Sequence, residues 1–182
     1  MMEINDVRII KEIKFKDNNK QRYVLGFIFN EELDKVLLIE KTKGPCNMTG
    51  RLNGIGGKIE ENEEPKNAMS RECFEETGIN IFPNEWVNFA DLDAEFGFVN
   101  CFYCVSNRIF DYEQKEEEKL DIYYLFPFDN VWVGQVDTLE VKEKYFKNYL
   151  RMNNIDWLIS MALNNFLKLD STGKFEIKEI YG

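Results

Sequence analysis

The segment Gly57–Ile79, G-K-I-E-E-N-E-E-P-K-N-A-M-S-R-E-C-F-E-E-T-G-I, constrains this chain more than any other part of it. Pro65 suits the first position of a helix, where a missing N–H costs nothing, and Gly78 suits the left-handed residue that ends one. A helix is therefore predicted over Pro65–Thr77, with the charge of Glu64 at its N-cap facing the positive end of the dipole. On that helix Glu72, Glu75 and Glu76 stand at i, i+3 and i+4 and share one face. Three like charges so placed repel one another unless a cation joins them. Hard, oxygen-seeking Mg²⁺ or Mn²⁺ suits such a set. A plain amphipathic helix burying Ala68, Met69, Cys73 and Phe74 would account for a Glu-Glu pair alone. It leaves Glu63, Arg71 and the two framing glycines unexplained.

Gly57, Glu63, Arg71, Glu72, Glu75, Glu76 and Gly78, with apolar Cys73 and Ile79, fill every fixed position of G-x5-E-x7-R-E-U-x-E-E-x-G-U, where U is a bulky apolar residue. The segment resembles the Nudix box, and the likeness to Nudix hydrolases extends from about residue 22 to 168, strongest over 50–79. The resemblance implies hydrolysis of a nucleoside diphosphate linked to another group, with Mg²⁺ as cofactor and Mn²⁺ as its substitute. It implies Glu75 and Glu76 as metal ligands, Glu72 as ligand or base, and the Gly56 carbonyl as a main-chain ligand. Arg71 is expected to orient a glutamate through a bidentate pair, and Glu63 to tie the loop to the helix. Lys58 reads as a phosphate contact or as a solvated lysine at a strand end. Many members add an acidic residue from a later loop. Glu116, Glu117 and Glu118 are the candidates here, and Glu118 fits best when counted back from Tyr123.

The run G-R-L-N-G-I-G-G-K-I (Gly50–Ile59) is similar to that of the MutT-like oxidised-purine nucleoside triphosphatases, with Leu52 in place of a tryptophan. By that likeness Asn53 contacts the base, its alternative being a turn residue before Gly54, and Lys41 matches a pocket lysine. Asn153 and Asn154, ahead of Trp157, stand where that branch carries paired aspartates. Two amides there read a base edge or cap the last helix.

The chain has no histidine, which removes Ser-His and Cys-His catalysis and imidazole zinc sites together. Its formal charge of −10 argues against binding a nucleic acid duplex or an anionic membrane surface. A nucleotide partner is still compatible, because a metal carries the positive charge that phosphates need. No signal-peptide layout or membrane-length apolar run is present, so a cytoplasmic location is expected. Either a monomer or a homodimer is compatible. Cys101 and Cys104 form a C-x-x-C within an apolar, β-prone run, so buried free thiols are expected, as against a redox or zinc pair.

Along the chain, Val7–Phe15 and Arg22–Phe29 read as a hairpin, followed by a strand over Lys35–Lys41 and a loop over Lys43–Asn53. A short strand, Gly54–Ile59, is expected to enter the box. Trp86–Asp93 and Phe96–Ser106 form a second β-pair, and a strand over Leu120–Phe128 follows the acidic loop Tyr112–Lys119. Helices are expected over Leu139–Met152 and Asn154–Leu169, the latter packing through Ile155, Leu158, Ile159, Ala162, Leu163, Phe166 and Leu167, and a terminal strand over Lys174–Tyr181.

The expectation is a single α/β (α+β) domain over residues 1–182, a mixed β-sheet sandwiched between helices as in the Nudix fold. Its expected activity is cleavage of a nucleoside triphosphate, with an oxidised purine as candidate base, to monophosphate and pyrophosphate. ADP-ribose, nucleotide sugars and dinucleotides are the alternative substrates. A binding module that senses nucleotides without cutting them has no need of the full carboxylate set.

Overall fold

β1 (Arg22–Phe29) lies at the centre of the molecule and is buried on both faces over most of its length. The computed structural model describes residues 20–42, 49–94, 96–115, 118–125, 154–167 and 175–178. Period-2 alternation sorts β1 cleanly: Leu25, Phe27 and Phe29 enter one hydrophobic cluster, Val24 and Ile28 the other. β2 (Lys35–Glu40) divides the same way, Val36 and Leu38 against Leu37 and Ile39.

Six pairings join seven strands in a mixed sheet, in the order β3-β2-β1-β5-β4-β7 with β6 on β2. β3 is Leu52–Asn53, β4 Val87–Ala94, β5 Gly97–Val105, β6 Lys119–Tyr124 and β7 Phe175–Lys178. β1 runs parallel to β5 along its whole length and antiparallel to β2 at its end. β4 and β5 form the expected antiparallel pair, and β7 adds parallel to β4.

The helix α1 (Pro65–Thr77) covers one face, burying Ala68, Met69 and Cys73 against Val24, Ile28, Leu37 and Ile39. A second helix, α2 (Ile155–Leu167), covers the other through Ile155, Leu158, Ile159, Ala162 and Leu163. A 13-residue helix is marginal by itself in water. Burial of each Leu or Ile contributes roughly 1.5–3 kcal/mol, so packing on the sheet holds α2 in place. Among the described residues no helix is long and apolar enough to cross a membrane.

Several expectations need correcting. Residues 52–53 are not loop: Leu52, 2 % exposed, enters the α2-side core, and β3 pairs antiparallel with β2. Gly54–Ile59 is no regular strand. It pairs with β1 through two isolated bridges, Tyr23 with Lys58 and Gly26 with Ile55, because Gly56 at φ 147° breaks the alternation between them. Phe74, which the plain amphipathic alternative would bury, is 49 % exposed, and its ring lies 4.0 Å from the Lys115 ammonium. Phe166 and Leu167 lie exposed on the last turn of α2, with Phe166 edge-on to Tyr103. Cys101 and Cys104 are buried and free, and they enter opposite cores, so the C-x-x-C does not close on itself. The expected strand Val7–Phe15, the helix Leu139–Met152 and Asn153 lie outside the described residues.

Candidate active site

α1 starts and stops as its sequence directs. Pro65 takes the first position after Glu64, whose carbonyl accepts from the Ala68 N–H, and Gly78 at φ 74° donates its N–H to the Phe74 carbonyl. Between those ends the helix points its carboxylates at the Gly56–Gly57 backbone. A Cβ at Gly57 would stand 2.6 Å from the Glu72 carboxylate, and one at Gly56 would stand 2.1 Å from the Val24 carbonyl oxygen. The two glycines are thus what permits helix, loop and β1 to meet this closely.

Two cations organise the acids. Arg71 grips Glu63 through Nε and Nη2, both at 2.9 Å, and Nη2 also donates to the Lys58 carbonyl. Its Nη1 reaches Glu72 at 2.9 Å and Glu75 at 3.1 Å. The fork fits the carboxylate of Glu63 and holds that group below the usual carboxylate range, while Glu63 raises the affinity of Arg71 for its proton. Glu63 also accepts from the Glu60 N–H at 3.0 Å, which ties the loop to the helix.

Lys41 makes the second junction. Its ammonium donates to Glu118 at 2.8 Å and to Glu76 at 3.5 Å, joining the end of β2, α1 and the start of β6. Burial pulls its pKa down, but Glu76 and Glu118 outweigh that and raise it. Glu76 is 7 % exposed, and its other oxygen accepts from the Gly56 N–H at 2.9 Å. Burial raises Glu76 to about 7 despite Lys41 and Gly56. Burial also raises Glu72, opposed by Arg71 and assisted by the charges of Glu75 and Glu63.

These distances bear on a hard divalent cation. Among the described residues no three acidic or thiol groups already converge on one point. Glu76 and Glu118 share Lys41, and Glu72 and Glu75 share Arg71. The donor chemistry nevertheless fits such an ion. The donors are oxygens only, five carboxylates face two cations, and the buried Glu72 and Glu76 keep raised pKa values beside their partners.

The remaining candidates divide. Asn53 is half-buried opposite Ile39 and so shares the α1 face of the sheet. Lys58 is exposed. Asn154 stands at the N-cap position of α2, its carbonyl accepting from the Leu158 N–H at 3.1 Å, on the helix that covers the opposite core. Glu116 and Glu117 lie outside the described residues. Sequence reasoning missed Gln114, whose side chain bonds the backbone on both sides of Lys119. A glutamine in an acidic loop carries no signal of such a role.

The sequence model of the NUDIX domain matches residues 19–156. Over 77 residues the chain is 35 % identical to the 8-oxo-dGTP diphosphatase of Escherichia coli K12, covering 42 % of this chain and 57 % of that protein. Among solved structures, a NUDIX-family hydrolase from Clostridium perfringens superposes with a TM-score of 0.50 at 23 % identity, covering 84 % of this chain and 99 % of that one. A NUDIX hydrolase from Nitrosomonas europaea gives 0.53 at 16 % identity, covering 90 % and 81 %. Box, fold and family match agree: this chain belongs to the Nudix family.

Proposed function

We propose that the chain hydrolyses a nucleoside triphosphate to a monophosphate and pyrophosphate with Mg²⁺ or Mn²⁺, an oxidised purine being the favoured base. The observation that carries this reading is Glu76, a carboxylate held at 7 % exposure by the Gly56 N–H and brought by Lys41 to Glu118 from another element. Gathering that much buried negative charge has a use where a cation and a polyphosphate meet.

Glu75, Glu76, Glu118 and the Gly56 carbonyl would hold the ion, with Glu72 as a further ligand or the base. When bound, it neutralises phosphate charge and makes a water molecule acidic enough to attack. The chain's part is placement and proton transfer. The water oxygen joins one phosphorus, the bridging P–O bond breaks towards pyrophosphate, and the proton passes to a carboxylate, for which Glu72 is the candidate in a chain without histidine. Arg71 keeps Glu72 and Glu75 oriented and does not touch substrate. Lys58, exposed beside the box, is the candidate cation for a phosphate oxygen, and Lys41 the candidate pocket lysine.

The similarity to the Escherichia coli diphosphatase and the position of Asn53 on the α1 face support the purine reading. A second reading, hydrolysis of ADP-ribose, a nucleotide sugar or a dinucleotide, uses the same carboxylates. Leu52, whose side chain lies in the α2-side core, departs from the tryptophan of the oxidised-purine branch and weakens that likeness without touching the carboxylates. A panel of triphosphates, oxidised triphosphates, ADP-ribose and dinucleotides, with products separated by chromatography, decides. Monophosphate and pyrophosphate from an oxidised purine triphosphate are expected; turnover confined to ADP-ribose or dinucleotides would overturn the triphosphate reading.

A further inference from the structure

We propose that Gln114 is a positioning residue for Glu118, a splint that sets the loop before β6 so that the Glu118 carboxylate meets Glu76 across Lys41. This rests on the reading of Glu118 as a ligand and goes beyond it.

The placement of Glu118 needs an explanation. Its neighbours in sequence are Glu116 and Glu117, and it faces Glu76, so these carboxylates repel one another. Lys41 offsets that repulsion at the carboxylate, and backbone anchoring on both sides fixes the loop that carries it. Upstream, the Glu113 N–H donates to the Thr77 carbonyl at 2.8 Å, at the last residue of α1. The Lys115 ammonium caps the exposed Phe74 ring, and Tyr112 packs against the α1-side core. Gly78 leaves the room: a Cβ there would lie 3.0 Å from Lys115 Cε and 3.3 Å from Glu113 Cβ. The strap therefore crosses the helix where the box ends.

Downstream, Leu120 is 4 % exposed and paired with Ile39 of β2. Gln114 joins these two fixed points. Its Nε2 donates to the Glu118 carbonyl, and its Oε1 accepts from the Leu120 N–H at 3.0 Å. One side chain thus holds the main chain before and after Lys119. A carboxamide carries a donor and an acceptor on one planar group, and Gln has the reach. The side chain of Glu118 then ends 2.8 Å from Lys41, which in turn lies 3.5 Å from Glu76.

The test reads Mn²⁺ affinity by electron paramagnetic resonance, with a hydrolysis-resistant nucleoside triphosphate present at saturation, for wild type, Glu118→Gln, Gln114→Ala and the double variant. Glu118→Gln is expected to weaken Mn²⁺ binding by about tenfold or more, and Gln114→Ala by about tenfold, the scale of an outer-shell partner. The double variant is expected to bind no more weakly than Glu118→Gln alone, because Gln114 acts through Glu118. Gln114→Glu keeps the acceptor for Leu120 and loses the donor for Glu118, so it should fall between wild type and Gln114→Ala; it also serves if the alanine variant does not fold. If Glu118→Gln leaves Mn²⁺ affinity unchanged, the ligand reading fails and this inference with it. If Glu118→Gln weakens binding and neither Gln114 variant does, or if the two losses multiply, the inference alone is overturned.

Discussion

Arg71 and Lys41 solve the same problem differently. Each gathers glutamates, but Arg71 reaches partners one to thirteen residues away in sequence, whereas the partners of Lys41 lie 35 and 77 residues away. The Arg71 junction is a planar fork matched to Glu63 and reaching out to a half-exposed Glu75. The Lys41 junction is a point charge between two carboxylates whose side chains are 8 % and 14 % exposed. The difference separates two tasks. The fork fixes the shape of the box itself, and the ammonium joins the box to a distant loop at the place where chemistry is proposed.

The sharpest way to break this division is Glu76→Gln. The amide keeps an acceptor for the Gly56 N–H and loses the charge. Turnover should fall by more than the roughly 100-fold that losing an outer-shell partner costs, with no drop in melting temperature. Unchanged kcat/KM would remove Glu76 from the site. Lys41→Met comes next and should act on stability. It leaves Glu76 and Glu118 facing each other without a cation, at a cost of roughly 3 kcal/mol in urea unfolding, the low end for a broken buried pair because some surface stays wet. A loss under about 0.5 kcal/mol would mean that Lys41 is a bystander.

The same contrast explains what could be read from residues alone. Pro65 and Gly78 bound α1 as expected because capping is a local matter, and Arg71 finds Glu63 because eight residues separate them on one loop and helix. β1 and β2 were legible as strands but their faces were not, since both runs are apolar almost throughout and show no alternation. The parallel pairing of β1 with β5 was not legible, because the 67 residues between them, 30–96, carry no mark of which edge they rejoin. Nor was the break at Gly56, whose φ of 147° follows from the approach of Val24 and not from its own neighbours. Lys41 was singled out by likeness alone, and its partners Glu76 and Glu118 were not legible. Phe74 looked like core because the strap that Lys115 lays over it comes from a different loop.

Arg71→Lys sharpens the comparison from the other side. It keeps the charge and loses the fork, so about 2 kcal/mol of stability should go, the worth of charged hydrogen bonds, while a Lys41→Arg exchange keeps a cation between Glu76 and Glu118 and should cost less. Equal effects of the two exchanges on unfolding in urea would erase the distinction between fork and point charge.

The smallest effect is the most diagnostic, because the two junctions titrate in opposite directions. Glu63 is depressed below its usual 4.5, chiefly by the hydrogen bond from Arg71, so its stabilisation is fully present above that value and is lost as pH falls through the lower folded value. Glu76 is raised to about 7, chiefly by burial, so between 4.5 and 7 the folded chain binds more protons than the unfolded one and stability falls as pH rises. Unfolding free energies measured in a chelator from pH 3 to 8 should therefore show a rising limb in acid that Glu63→Gln flattens. A shallow falling limb towards neutrality should vanish in Glu76→Gln and persist in Glu63→Gln. A falling limb that survives Glu76→Gln would assign the buried charge to Glu72, the other carboxylate raised by burial, and would move the centre of the site one turn towards Arg71.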